Sequence, residues 1–269
     1  MFVLQKLITI FAQVKNTTIL CKTCLRKYQT TLMKRINQEL DPEIEAIIVG
    51  VHSMAKLKNV SCLVVDFTTR EIVYQSRSLL YIDEAMPEDK HRNCLNPYWS
   101  YVREDVQEQL IRIKDDGLSC ADWLSPADFR THVCTTDFPI IIGEKQVFVH
   151  QEFSPLLMCQ NGSIRLGLFV MSSSACEEIE SYIETESGLI LKYNFENNKY
   201  EKCKERFHLT SKEMSILRCL MKRKKTEEIS QILGMAANTV RKHRRNIYAK
   251  LGAHSKDDVI IIANNYHLV

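Results

Sequence analysis

Basic side chains are concentrated near the C-terminus, and they are the first indication of chemistry in this chain. Between Arg206 and Lys256 there are 13 lysines and arginines and three acids, a local charge of +10. The remainder of the 269 residues holds 23 basic and 30 acidic residues, a charge of −7. A compact basic segment on an acidic body is typical of a protein that binds the phosphates of nucleic acid. A merely solvated surface would normally mix the two signs.

Cysteine and histidine supply the other candidate chemistry. The ten cysteines are irregularly spaced, which is unlike a disulfide framework and indicates a reducing compartment. Cys21 and Cys24 form a lone CxxC, for which two unpaired thiols are the default interpretation and a metal or redox site the alternative. His132 and Cys134 could ligate a haem or metal in a sensing pocket, although a hydrogen-bonded or surface histidine is commoner. We predict no metal, no catalytic residues and no enzyme, because no HExxH, nucleophile motif or paired-carboxylate spacing occurs.

The basic segment is predicted to form four short helices, which would position its charges. Thr210 and Glu213 form a capping box at the start of the first helix. The third helix is predicted from about Asn238 to Leu251, with apolar residues at helical spacing on one face. At the other boundaries, helix starts are marked by the polar residues Thr226 and Ser255. Helix ends are marked by the glycines Gly234 and Gly252. A helix, a short turn with glycine and a basic helix form a helix-turn-helix arrangement.

As a block, residues 209–263 resemble the LuxR-type (GerE-type) DNA-binding domain. That family has Leu-Thr-x-Arg-Glu, then Glu-Ile-Ala-x-x-Leu, then Thr-Val-Lys-x-His-x-x-Asn-Ile-x-x-Lys-Leu-Gly. The corresponding segments here are Leu209-Thr-Ser-Lys-Glu213, Glu228-Ile-Ser-Gln-Ile-Leu233 and Thr239-Val-Arg-Lys-His-Arg-Arg-Asn-Ile-Tyr-Ala-Lys-Leu-Gly252. Apolar, turn and basic positions all fall in register, and the resemblance implies that the third helix enters the major groove of DNA.

The resemblance also implies roles for individual residues. Arg241, Lys242 and Arg245 match the family's base-facing positions, and Arg241 and Arg245 lie one helical turn apart. Other basic and polar residues are placed for contacts with phosphates, which fix register without reading sequence. They are Lys212, Lys225, Thr226, Thr239, His243, Arg244 and Lys250. Because one module makes few base contacts, we expect a homodimer on two half-sites.

Two positions depart from the family pattern. Ala236 stands where the family usually has a serine before the third helix, so the hydroxyl that would cap that helix is missing. Arg223 stands where the turn after the first helix usually has glycine, which puts the geometry of that turn in question. Neither change removes a charge from the predicted DNA-facing surface.

The acidic body shows alternating strand and helix patterns. Two strands are predicted at 60–67 and 71–75, and an amphipathic helix follows from Trp99. A shorter helix is predicted with Ser125 as its cap and Pro126 at its first position. Three further strands are predicted at 146–153, 156–160 and 163–171, with an Asn161-Gly162 hairpin turn between the last two. The pattern resembles a PAS domain, in which a five-stranded sheet and a few helices enclose a small pocket.

The predicted fold class is α+β, with a PAS-like antiparallel sheet and flanking helices followed by an all-α four-helix LuxR-type helix-turn-helix domain. The predicted boundaries are a helical segment at 1–58, a PAS-like domain with a trailing hairpin at 59–200, a linker at 201–207 and the DNA-binding domain at 208–269. Within the first segment, the helical pattern runs from Met33 to Leu57. No apolar run approaches the ~20 residues that span a bilayer, so we expect a cytoplasmic protein without membrane contact.

The sequence therefore predicts a signal-responsive transcription regulator with double-stranded DNA, a second copy of itself and RNA polymerase as partners. No cofactor is predicted, although an unknown small ligand could occupy the PAS-like pocket. One alternative is a constitutive DNA-binding regulator whose N-terminal half only dimerises or binds a protein partner, and another is an enzyme with a DNA-binding tail. Neither a receiver-domain pattern nor an acyl-homoserine-lactone receptor signature can be placed, and no G-x-x-x-x-G-K-[ST] phosphate loop occurs.

Overall fold

The computed structural model describes residues 41–58, 60–76, 79–82, 98–119 and 124–269. The chain divides into two compact units, residues 1–59 and 60–269, which are described separately. The Cys21–Cys24 pair and the start of the helix predicted from Met33 lie outside the described residues. Within the described residues, no helix has the length and apolar character that crossing a membrane requires.

The first unit contributes one described helix, α1, which spans Pro42–Lys58. The side chain of Asp41 accepts a hydrogen bond from the backbone N–H of Glu43 and so satisfies a free donor of the first turn. The buried residues Ile44, Val51 and Ala55 share one face, as the helical repeat requires. The helical pattern predicted up to Leu57 is therefore confirmed over its described part.

An antiparallel sheet dominates the second unit, and eight strands are described in the order β2-β1-β5-β4-β3-β6-β7-β8. The strands are β1 Ser61–Asp66, β2 Glu71–Gln75, β3 Val133–Ile142, β4 Lys145–Met158, β5 Ile164–Ser173, β6 Glu180–Glu184, β7 Ile190–Asn194 and β8 Lys199–Cys203. A short 3-10 helix at Trp99–Tyr101, α2 at Glu104–Ser119 and α3 at Pro126–Thr131 lie between β2 and β3. The α+β class is confirmed, whereas the PAS-like identity of the sheet remains a prediction.

The strands differ from the predicted ones in the middle of the sheet. The segments predicted at 146–153 and 156–160 form one strand, because a register shift after Pro155 lets the strand continue past a residue that has no N–H. Strand β3 was not predicted, because Asp137 and Pro139 are poor strand formers, yet β3 pairs with both β4 and β6. The trailing hairpin is present as β7 and β8, and β6 joins it to the edge of β3.

Helix α2 and the 3-10 helix cover the central strands with a buried apolar cluster. Its members are Leu63, Leu79, Ile82, Tyr98, Val102, Val106, Phe138, Ile140, Val149 and Met171. A second cluster lies beneath the hairpin strands and contains Ile113, Ile183, Leu191, Tyr193 and Tyr200. Ser125 caps α3 by accepting the N–H of Asp128, as predicted.

The C-terminal part of the second unit is a bundle of four helices. They are α4 Ser211–Met221, α5 Thr226–Leu233, α6 Ala237–Leu251 and α7 Lys256–Asn265. Their core contains Ile216, Leu217, Leu220, Ile229, Val240, Ile247, Leu251, Val259 and Ile262. Both N–H groups at the predicted capping box are satisfied, since Thr210 and Glu213 each accept from the other's backbone. The prediction that Thr226 caps the second helix was wrong by one position, because Lys225 is the N-cap and Thr226 is the first helical residue.

Candidate nucleic-acid interface

A tight turn joins α5 to α6 and sets the direction of the basic helix. Gly234 ends α5 in the left-handed region, with φ 61°, which glycine adopts without steric cost. The N–H of Met235 donates to the carbonyl of Ser230 at 3.0 Å, and α6 begins two residues later. Ala236 is the N-cap of α6 and makes no side-chain hydrogen bond, so the cap hydroxyl is missing as the sequence indicates.

All three predicted base-reading residues are exposed on α6. The guanidinium of Arg241 is held at two points, since it donates to Asn238 Oδ1 at 2.7 Å and lies 3.4 Å from Glu227 Oε1. Arg241 and Arg245, with Arg244 and Tyr248, line a shallow cleft on this surface. The structure therefore brings Arg241 and Arg245 together, and α5 helps to orient Arg241.

Arg244 has internal partners that tie α6 to the start of α5. Its guanidinium donates to Thr226 Oγ1 at 2.6 Å and to the Tyr248 hydroxyl at 3.3 Å. Thr226 itself is 8% exposed, so its hydroxyl is largely shielded from solvent. These two predicted phosphate ligands are therefore hydrogen-bonded to each other in the free protein.

Lys250 also has an internal partner, which the sequence analysis missed. Its ammonium lies 2.7 Å from Glu213 Oε2, and the side chain of Glu213 is 3% exposed. Burial opposes ionisation of this carboxylate, but the hydrogen bonds from Lys250 and Thr210 lower its pKa to about 2. The pair joins the end of α6 to the first turn of α4. The capping-box pattern indicated the bond between Glu213 and Thr210, but it gave no signal for the pair with Lys250.

The other predicted phosphate ligands lie mostly at the starts of helices. Lys212 in the first turn of α4, Lys225 at the N-cap of α5 and Thr239 in the first turn of α6 are all exposed. Free backbone N–H groups and the helix dipole attract anions at such positions. His243 is half-buried on α6, and its Nδ1 atom is buried with no hydrogen-bond partner among the described residues.

The turn after α4 adopts an unusual backbone geometry at the second departure from the family pattern. Arg223 has φ 56°, in the left-handed region that favours glycine. Its side chain is exposed and lies 3.4 Å from the carboxylate of Asp257. The arginine therefore adopts, at a steric cost, a conformation that glycine adopts freely.

Comparison with known proteins gives one family match and several remote structural matches. Residues 208–263 match the family described as bacterial regulatory proteins, luxR family (GerE). No curated protein matches the chain.

Among solved structures, Vibrio cholerae VqmA without its target DNA is 17% identical, with a TM-score of 0.23, over 57% of this chain and 65% of that one. A phage VqmA–DPO complex is 13% identical over 83% and 91% of the two chains, with a TM-score of 0.27. Escherichia coli SdiA is 17% identical over 91% and 98%, with a TM-score of 0.25. The chain thus spans about two thirds of the first VqmA structure. On the strength of the four-helix bundle, the turn at Gly234 and the family match, residues 208–263 are a GerE domain, the LuxR-type helix-turn-helix domain of bacterial regulatory proteins.

Proposed function

We propose that this protein is a transcription regulator that recognises specific DNA sequences with α6. The observation that carries the proposal is the division of this helix into two faces. Arg241, Lys242 and Arg245 are exposed, whereas Val240 and Ile247 are fully buried in the bundle core. An arginine that reaches a guanine edge can donate two parallel hydrogen bonds in the major groove, and such a pair discriminates between bases by about 1–3 kcal/mol.

The predicted phosphate ligands support this orientation of α6. Lys212, Lys225 and Thr239 are exposed at three helix starts, where free backbone N–H groups also attract phosphates. Arg244, Thr226 and Lys250 would contribute to phosphate binding by exchanging an internal partner for a phosphate oxygen. We include His243 in this set because it lies on the same helix.

The remainder of the proposal concerns the assembly and its control. A homodimer would place two copies of α6 about one helical turn of DNA apart, which is the geometry of paired half-sites. A signal received by the N-terminal half would then change the spacing or orientation of the two domains. This requires that the signal binds two arrangements with different affinity. The proposal also includes RNA polymerase as a partner and the cytoplasm as the location of the protein.

Selection of bound duplexes from random DNA tests the recognition step. The wild-type protein should enrich one sequence, and Arg241→Ala should relax preference at a single base position, with a loss of about 5- to 150-fold on the selected duplex. Arg130→Ala is the matched control, because it removes the same charge from an exposed position on α3.

Binding of random duplex should change little in either variant. Equal loss of affinity for the selected and the random duplex in Arg241→Ala would show that Arg241 does not read a base. Failure of the wild-type protein to enrich any sequence at low salt would overturn the proposed function.

A further inference from the structure

A buried cluster of charged and aromatic side chains lies where the sheet meets the C-terminal end of the four-helix bundle. Asp137 on β3 and His150 on β4 are 1% and 0% exposed. The Asp137 carboxylate accepts hydrogen bonds from His150 Nδ1, the Ser174 hydroxyl and the hydroxyl of Tyr266, which follows α7. A residue that packs in the core of the four-helix bundle therefore completes the hydrogen bonding of an acid that belongs to the sheet.

Arg206, just before the GerE domain, adds a guanidinium to the same cluster. Its side chain is 6% exposed and lies 3.2 Å from Glu184. Its guanidinium carbon lies between two rings, 3.7 Å from the ring centre of Tyr182 and 4.0 Å from that of Tyr266. A cation enclosed between two aromatic faces is held in position on both sides. The segment predicted as a linker is thus fixed at Arg206.

Asn265, the last residue of α7, makes a third set of contacts with the sheet. Its side-chain amide donates to the carbonyl of Ser173 at 2.8 Å, and its Oδ1 accepts from the Ser172 hydroxyl at 3.0 Å. Both serines belong to the end of β5. Hydrogen bonds are directional. Together with the Asp137 cluster, these bonds therefore fix the orientation of α7 relative to the sheet as well as the contact between them.

These contacts leave the proposed DNA-reading surface open. Arg241, Lys242 and Arg245 are all exposed while Tyr266 is buried against the sheet. A contact that only covered apolar surface would not need a buried acid, a buried imidazole and a buried guanidinium, each of which is costly to bury without partners. The arrangement holds α6 at a fixed angle to the sheet and leaves the exposed face of α6 uncovered.

We propose that Tyr266 and Arg206 are positioning residues that fix the DNA-binding domain on the sheet and thereby set the half-site spacing a dimer recognises. The second part of this inference rests on the proposed function. The first part concerns the free protein alone and can be tested without DNA.

Hydrogen exchange of the full chain tests the first part. In Tyr266→Phe the ring contacts remain but Asp137 loses a donor, so the end of α7 should open about tenfold more often. The reporting amides are those of Tyr266 and Leu268, which donate to the carbonyls of Ile262 and Ala263. The matched control is Tyr200→Phe, which removes a buried hydroxyl bonded to Ser181 within the sheet domain.

Asn265→Ala is a second variant that leaves the Asp137 cluster intact and should raise exchange at the same amides. Unchanged exchange in both Tyr266→Phe and Asn265→Ala, or an equal increase in Tyr200→Phe, would show that these contacts do not fix the DNA-binding domain on the sheet.

Selection of paired half-sites from random DNA tests the second part with the same variants. Tyr266→Phe should enrich the wild-type half-site sequence with a broader distribution of spacings, whereas Tyr200→Phe should keep the wild-type spacing. Unchanged spacing in Tyr266→Phe, despite faster exchange, would overturn the positioning role. If the wild-type protein enriched no sequence, the proposed function and the spacing claim would both fail. The exchange result would still show whether the DNA-binding domain is fixed on the sheet.

Discussion

At the scale of single residues, Lys250 shows why a count of charges is an incomplete guide to a binding surface. The sequence places it among the phosphate ligands, but its ammonium is paired with Glu213, which is 2% exposed. The capping box predicted that Glu213 would bond to the start of its own helix. It could not show that a lysine near the end of α6 would reach the same carboxylate oxygen, because that contact depends on how the helices pack.

Replacement of Lys250 tests this internal role. Lys250→Gln should lower the free energy of unfolding by about 1–3 kcal/mol, because Glu213 stays buried without its charged partner. Lys242→Gln is the matched control, since Lys242 is exposed on the same helix and its loss should change stability by less than about 0.5 kcal/mol. Urea unfolding measures both values. Equal stability of the two variants would show that the Lys250–Glu213 pair contributes nothing to the fold.

His150 is the second residue whose environment determines its behaviour. Its Nδ1 lies 3.1 Å from Asp137 and its Nε2 lies 3.6 Å from Glu152, and the imidazole and the Tyr266 ring pack nearly perpendicular to each other with their centres 4.9 Å apart. Burial disfavours the charged imidazole, but the hydrogen bond with Asp137 and the nearby carboxylate of Glu152 raise its pKa to about 9. The histidine is therefore protonated at neutral pH, and it stabilises the fold only while it keeps that proton.

This predicts a loss of stability on the alkaline side of neutrality. Because the pKa in the folded state is above the ordinary value of 6.5, the contribution is complete below pH 6.5 and is lost as the pH rises through 9. The free energy of unfolding of the wild-type protein should fall across this interval in urea titrations. In His150→Gln the fall should be much smaller. Parallel declines in the two proteins would show that another group is responsible.

At the scale of elements, the helices could be predicted because their ends are determined locally. Thr210, Ser125 and Ser255 each accept a backbone N–H within the next three residues, as the capping pattern predicts. Strand β3 was not predicted, because the buried Asp137 is stabilised by hydrogen bonds from His150 and Tyr266, which are distant in sequence. The β-branched residues of β3 are a local strand signal, but Asp137 and Pro139 interrupt it, and the partners of Asp137 become known only from the fold.

The start of α6 gives a prediction at this scale. Ala236 has the extended backbone of an N-cap, with φ −59° and ψ 140°, but has no side chain to accept a hydrogen bond. Ala236→Ser should therefore stabilise the protein by about 1 kcal/mol. Ala249→Ser makes the same replacement at an exposed position inside α6, where serine should destabilise by about 0.5 kcal/mol. Thermal unfolding of both variants measures the difference, and equal shifts would contradict the capping argument.

At the scale of the whole molecule, the unequal charge distribution correctly predicted where the GerE domain lies in the sequence. The basic segment and the GerE domain coincide, because residues 208–263 contain nearly all of the lysines and arginines counted between Arg206 and Lys256. How that domain is held on the sheet was not predictable, since Arg206 was assigned to a linker. Its guanidinium is instead enclosed by Tyr182 on the sheet and Tyr266 in the C-terminal part. Charge composition thus locates the GerE domain in the sequence, and the fold determines how that domain is held.

The salt dependence of DNA binding reports on this charged surface as a whole. The affinity for random duplex should fall linearly with salt on logarithmic axes, with a slope that decreases by about 0.9 for each phosphate contact removed. Lys212→Ala removes an exposed cation at the start of α4 and should reduce the slope by about that amount per GerE domain. Lys145→Ala, at the exposed first residue of β4, removes the same charge from the acidic body and should leave the slope unchanged. Fluorescence anisotropy at several salt concentrations measures the slopes. An equal reduction in both variants would mean that net charge, and not the surface around α6, governs binding to DNA.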